Sequence, residues 1–235
     1  MRLLFMIAVV AGFAPTSPAH AIVGASREGG PRGVVMVLTS GGPRAGFCSG
    51  VALAPHIVLT AAHCVSAPGA MRVFYRAPSG VDVFVTIKRV AKHGAYRADA
   101  VASRARSVDL ALVETEDALP DIAEMTVTDG STTVGAPFAV AGFGLAREGD
   151  GASGGRLRHA TLRLRAPISR LLMWLDGDAG GCTGDSGGVV FDGAALVGVI
   201  AFAEGADGKA CGALTQAVRL APFRGWIAQT IQRWR

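Results

Sequence analysis

The chain has 235 residues, half of them hydrophobic, with a formal charge of +5 at pH 7 and only 6% aromatic side chains. That length allows one large domain or two small ones, and the apolar content is enough to build a core. The basic residues are scattered instead of clustered, which with so few aromatics argues against a dedicated nucleic-acid surface. The 32 glycines, set among Val/Ile-rich runs, favour a turn-rich β protein over a helical bundle.

The chain opens with Arg2, an apolar run from Leu3 to Ala14, then Pro15, Pro18 and Ala19-His20-Ala21. The run is too short to span a bilayer. It fits a signal peptide over residues 1–21 with a small-x-small cleavage site after Ala21; the alternative is a buried N-terminal strand or helix. No later run is long enough for a membrane span, so a secreted or periplasmic protein without a membrane anchor is expected. Short apolar stretches then recur, each closed by Gly, Pro or Asp. They are Val34–Leu38, Val51–Leu53, Ile57–Thr60, Met71–Tyr75, Val83–Val90, Leu110–Val113, Phe138–Ala141, Leu157–Arg165, Val189–Phe191, Leu196–Phe202 and Ala213–Val218. "DVFVTIKRV" and "RLRHATLRLR" alternate partly, as half-buried strands do. Strands at this spacing predict a sandwich or barrels. The Pro120–Gly135 region is the expected boundary between two halves, residues 22–120 and 121–235. "AREGDGASGGR", Ala146–Arg156, reads as a mobile surface loop. After Pro222, the residues Phe223, Trp226, Ile227, Ile231 and Trp234 fall on one face of a helix that docks on the core.

Four cysteines follow the signal: Cys48, Cys64, Cys182 and Cys211. An even number in an exported chain predicts two disulfides, and the sequence permits three pairings. No Cys/His spacing points to zinc. His63 and Cys64 are neighbours whose side chains would leave a strand on opposite faces, so one metal site would rarely use both. No metal or cofactor is expected.

The strongest stretch is "GGCTGDSGG", Gly180–Gly188. Glycines around Ser186 allow a tight turn and a close substrate, and the N–H groups of Gly184 and Ser186 could face a developing oxyanion. A Gly-rich hairpin turn is the alternative. Serine is a weak nucleophile without a base, and "LTAAHC" supplies His63. Of the other histidines, His20 leaves with the signal, and His56, His93 and His159 read as surface residues. A base of this kind needs a carboxylate to hold its tautomer. "VDLALVE" offers Asp109 at the head of an apolar strand, where an exposed strand cap is the alternative.

Together "IVGA", "CSGVALAPHIVLTAAHC", "DLAL", "GFG", "GCTGDSGG" and the terminal "WIAQTI" resemble the trypsin/chymotrypsin family of serine peptidases, in an exported, bacterial-type form. The order His, Asp, Ser is this family's, unlike that of subtilisins or α/β-hydrolases. The resemblance covers nearly all of residues 22–235. It implies two packed six-stranded antiparallel β-barrels with a C-terminal helix and a site between them. It implies the pairings Cys48–Cys64 and Cys182–Cys211. Ser186 is then the nucleophile, His63 the general base and acid, and Asp109 the orienting carboxylate. Gly184 and Ser186 are the oxyanion donors, and Asp185 pairs with a freshly exposed amine on Ile22.

The chain also departs from the family pattern. Gly180 stands at the floor of the expected substrate pocket, where trypsins have Asp, with Asp176 and Asp178 nearby but off register. In the substrate-pairing strand Ala201 replaces a Ser that bonds the catalytic Asp, Phe202 follows, and Ala203 replaces a Gly at the pocket mouth. Gly212 is a further lining candidate. Val189 and Phe143 replace a frequent Pro and Trp, and the disulfide usual before the nucleophile is missing. The resemblance implies a monomeric serine endopeptidase acting on proteins or peptides, open to protein inhibitors, and not directed to Lys or Arg. The alternatives are an inactive fold kept as a binding module, and an esterase using the same triad. Because the signal cut would itself expose Ile22, export and activation are expected to be one event.

Overall fold

The computed structural model describes residues 22–39, 46–65, 70–103 and 105–235. The predicted signal, with His20 and Ala21, lies outside the described residues. Two short strands come first, β1 (Val23–Gly24) and β2 (Arg27–Glu28). Six more follow: β3 (Val34–Thr39), β4 (Gly46–Ala54), β5 (Ile57–Thr60), β6 (Met71–Arg76), β7 (Asp82–Lys92) and β8 (Ala111–Thr115). They close into a barrel in the order β3-β4-β5-β8-β7-β6, with a one-turn helix α1 (Ala100–Ser103) in the β7–β8 connection.

The second half holds β9 (Pro137–Gly142), β10 (Arg158–Arg165), β11 (Leu172–Asp176), β12 (Ala179–Gly180), β13 (Val189–Asp192), β14 (Ala195–Glu204) and β15 (Leu214–Arg219). Its sheet runs β11-β15-β14-β13-β9-β10 and is closed by a β10–β11 pairing, so this too is a six-stranded barrel. The chain ends in helix α2 (Arg224–Trp234).

The side-chain pattern dictates these strands. In β10 the residues Ala160, Leu162 and Leu164 point inward, while Thr161, Arg163 and Arg165 are exposed, the period of two that a half-buried strand requires. β5 and β8 are apolar without a break because both faces are covered. Val58 and Val113 fill the first barrel, while Leu59 and Leu112 face the core between the barrels. Each of the latter, fully buried, contributes about 1.5–3 kcal/mol.

Every apolar run read from the sequence falls on a strand, β3 to β10 and β13 to β15. Strand β11 was not read there, because Leu171-Leu172-Met173-Trp174-Leu175 lacks polar alternation. The two-residue strands β1, β2 and β12 are too short to carry a pattern.

The two ends of the chain cross over. β1 pairs with β12 and β2 with β10, so the first described residues belong to the second barrel. Helix α2 returns to the first. Phe223 and Ile227 join the core between the barrels, with Trp226, Ile231 and Trp234 packed on it. The Arg89 guanidinium of β7 donates to the Trp234 carbonyl at 2.8 Å. This corrects the surface reading of His93. Its ring is half-buried, edge-on to Phe223 and Trp226 with centroids 5.1 Å away, and burial lowers its pKa. The 146–156 loop is knit by its own side chains: Ser153 Oγ accepts from the amides of Ala146 and Arg147, and Asp150 caps Ala152.

Both disulfides expected from the resemblance are present, Cys48–Cys64 and Cys182–Cys211, closing spans of 16 and 29 residues. The first ties β4 to the 3₁₀ turn Ala62–Cys64, which carries His63. In the chain-entropy account such loops stabilise by roughly 3 kcal/mol each. A Cys48→Ser, Cys64→Ser double variant is therefore expected to lose roughly that much in urea unfolding; an unchanged midpoint would show that the bridge contributes nothing.

Candidate active site

Pairing of β5 with β8 sets Thr60 opposite Ala111. The chain leaves β5 into the turn bearing His63, and Asp109 enters β8, so the two meet. The carboxylate takes both N–H groups of His63: the backbone amide on Oδ1 at 2.9 Å and ring Nδ1 on Oδ2 at 2.6 Å. An ionised carboxylate only accepts, so Nδ1 carries the proton and Nε2 keeps its lone pair. Asp109 is no exposed strand cap; its side chain is 17% accessible against 39% for His63. His63 Nε2 also lies 3.6 Å from Cys64 Sγ. His63, Cys48 and Cys64 form a cluster of potential metal donors, but both sulfurs belong to a disulfide, whereas a metal needs thiolate.

Ser186 stands at the tip of a tight turn held by Asp185 N to Cys182 O and Gly188 N to Asp185 O. Gly184 has φ +94°, and a Cβ there would come within 2.3 Å of the Phe47 ring, so glycine is required twice over. Among the described residues the amides of Gly184 and Ser186 have no protein acceptor; they are free to meet a developing negative charge. No hydrogen bond joins the Ser186 hydroxyl to the His63 ring; such contacts tighten around a substrate.

Asp185 points the other way and is fully buried. Its oxygens accept from Gly144 N at 2.8 Å and Cys182 N at 2.9 Å, and the Ile22 amide is a third donor. Gly144 is obligatory here, since a Cβ would lie 2.4 Å from the carboxylate. Burial pushes the Asp185 pKa up to about 7 against those hydrogen bonds and the charge of Arg158. Arg158 is itself buried and donates to Glu28 at 3.1 Å. Ile22 is wholly buried in the second barrel at φ +50°, a backbone region that a β-branched residue avoids.

His63, Asp109 and Ser186 line one cavity of about 1090 Å³ together with Ala201, Phe202 and Ala203. The Ala201 methyl offers Asp109 no hydrogen bond. Gly180 and Gly212 are not among the lining residues. They meet each other, and a Cβ on Gly180 would lie 2.6 Å from the Gly212 carbonyl carbon. Asp176 is paired with Arg165 at 3.0 Å, and Asp178 is exposed and holds Ala25 N through its backbone, so neither carboxylate enters. Two small side chains pack over Gly181. Thr215 Oγ1 accepts the Gly181 amide at 2.8 Å, and the Ala203 methyl and Thr215 methyl lie 3.4 and 3.5 Å from where a Gly181 Cβ would stand. Nothing in "ALTQAV" marks Thr215 in the sequence.

Sequence reasoning also missed Ser49, although it sits in the "CSG" quoted for the resemblance. Ser49 is fully buried. Its amide donates to Ser186 O at 2.8 Å, its hydroxyl donates to Gly184 O at 2.9 Å, and it accepts from Phe143 N at 2.9 Å. Strand β4 of the first barrel thus pins the carbonyls on both sides of Asp185.

A sequence family described as Trypsin matches residues 21–227. Similar solved structures include an inactivated protease paralogue of the scabies mite, 21% identical with a TM-score of 0.71, covering 92% of this chain and 98% of that one. Human heparin binding protein is 21% identical with a TM-score of 0.72 over 89% and 97% of the two chains. Neuropsin, a serine protease expressed in the limbic system of mouse brain, is 20% identical with a TM-score of 0.72 over 88% and 99%. At these identities the likeness is one of fold.

Replacing Ser49 by Ala strands the Gly184 carbonyl and the Phe143 amide in the interior. The expected cost is about 1–3 kcal/mol of stability, with a fall in acyl-transfer rate and little change in KM, because the oxyanion stretch loses its anchor. Urea unfolding and steady-state kinetics check both; unchanged kcat would show that the turn holds itself.

Proposed function

Because the chain belongs to the trypsin family, we propose that it is an exported serine endopeptidase working through an acyl-enzyme on Ser186. The observation that carries this reading is the His63–Asp109 pair, tautomer fixed, in one cavity with Ser186 and beside two free amides. The Ser186 Oγ attacks the peptide carbonyl while its proton passes to His63 Nε2. The oxyanion rests on the amides of Gly184 and Ser186. The C–N bond then breaks as His63 returns the proton to the leaving amine. Water, deprotonated by the same nitrogen, cleaves the ester and restores Ser186. Asp109 stays ionised and stabilises the imidazolium.

Specificity follows from what surrounds the serine. Asp109 is the one acidic residue among the described residues lining the cavity, and it is committed to His63. A Lys or Arg side chain entering the cleft would find no counter-charge, and burying an unpaired cation is costly. With Ala203, Leu171, Leu172 and Val218 in its lining, the cleft takes small or medium apolar side chains. A peptide library is expected to be cut mainly after Ala, Val or Leu, with no cleavage by Ser186→Ala protein. Cuts chiefly after Lys or Arg would overturn the specificity, and activity surviving Ser186→Ala would overturn the mechanism. The binding-module reading draws on Ala201, whose methyl offers Asp109 no hydrogen bond; failure of wild-type protein to react with a fluorophosphonate probe would favour it.

Activation centres on Ile22. With the bond from residue 21 intact, Ile22 gives Asp185 only an amide and holds a strained φ. A cut after Ala21 abolishes that torsion and places an ammonium at the buried carboxylate, which export signal removal would accomplish in one step. The two forms differ in pH dependence. In the uncut form Asp185 binds its proton more tightly folded, at about 7, than at the ordinary 3.8. Stability is then full below the lower value and falls by about 4 kcal/mol as pH rises through the higher one. In the cut form the ammonium keeps the carboxylate ionised, and the loss moves to alkaline pH, where the amine deprotonates. Urea midpoints against pH for Ser186→Ala protein with and without residue 21 are expected to diverge in this way, and active exported enzyme is expected to begin Ile-Val-Gly-Ala. Superimposable pH profiles would refute the account.

A further inference from the structure

The cavity that holds Ser186 has a charged rim that the chemistry of peptide cleavage does not use. Arg97 and Arg106, from the β7–β8 connection, and Arg170, from the β10–β11 turn, line it together with the serine. All three are exposed. Arg97 is partly offset by Asp99 at 3.4 Å. Arg106 and Arg170 have no acidic partner among the described residues, and they come from segments more than sixty residues apart to border one opening. The same cavity has an apolar floor to which Leu171, Leu172, Phe202 and Val218 contribute, and Phe202 is 41% accessible.

We infer that this cleft selects peptide segments carrying Asp or Glu beside the apolar residue at which they are cut. The inference rests on the reading of the cleft as the substrate site and names its substrate class. Guanidinium groups pair carboxylates in a fork, and a concave opening of one sign raises the local concentration of the other. The apolar floor argues for a polypeptide over a sulfated saccharide, which has no side chains to cover Leu171 and Phe202. Each exposed pair is worth up to about a five-fold change in affinity, so Arg106 and Arg170 together give about a ten-fold preference.

The test uses Ser186→Ala protein, so that binding is read without cleavage. Fluorescent ten-residue peptides with a central Ala-Leu are compared, flanked by Asp/Glu, by Asn/Gln, or by Lys. By anisotropy at about 0.01 M ionic strength the acidic peptide is expected to bind about ten-fold tighter than the amide one. The gap should shrink at about 0.15 M and collapse in an Arg106→Gln, Arg170→Gln variant. Equal affinities, or a preference that survives in that variant, would overturn the inference. So would a sulfated hexasaccharide that binds tighter than the acidic peptide. Hydrolysis by wild-type protein is scored separately: if it cuts no peptide, the peptidase reading fails, while the binding comparison still decides the acidic preference.

Discussion

A carboxylate sealed from water organises this molecule. Asp185 has no accessible surface, and an ion there survives only if it is enclosed by donors. Those donors come from chain segments far apart: Ile22, Gly144 and Cys182. The "GFG" that begins at the end of β9 and the "GDSGG" of the Ser186 turn are therefore two parts of one device. Gly144 stands against the carboxylate because any side chain would overlap it. With Asp185 drawn inward, the backbone on either side is forced outward, and that presents the Gly184 and Ser186 amides to the cleft. The first barrel completes the arrangement through Ser49, which takes hold of the same two residues from the opposite side.

Electrostatics behind the turn follow from the same burial. Arg158 is the nearest formal cation to Asp185, and its guanidinium is buried with Nε unpaired. Its other contacts are Glu28 and the Ser153 carbonyl. Glu28, exposed at the surface, has its pKa lowered by Arg156 and, less strongly, by Arg158. Strand β2 thus reaches the Asp185 carboxylate through one arginine.

Much of this was legible in the sequence because the relevant signals are local. Alternation marked the strands, a proline and an apolar face marked the terminal helix, and short motifs carried His63, Asp109 and Ser186. What stayed hidden was made by packing. β11 is apolar on both sides and has no period. His93 looks like a surface histidine until α2 folds over it. Nothing in the motifs around Gly180 and Gly212 shows that their backbones touch, or that Thr215, far along the chain, is buried against Gly181. Ser49 has a hydroxyl whose partners are brought together only when the barrels meet. The arginine rim is of the same kind: two connections with no shared pattern are neighbours only in space.

The crossed termini have a consequence of their own. The first described residues are strands of the second barrel, and the last helix clasps the first barrel. Neither barrel can separate without releasing the end that belongs to the other. Separation of the barrels must break β-pairing at one end and an aromatic contact at the other. The barrier to unfolding, more than the equilibrium between states, then governs how long such a protein lasts. The fastening of head to one half and tail to the other thus ties the lifetime of the fold to that barrier.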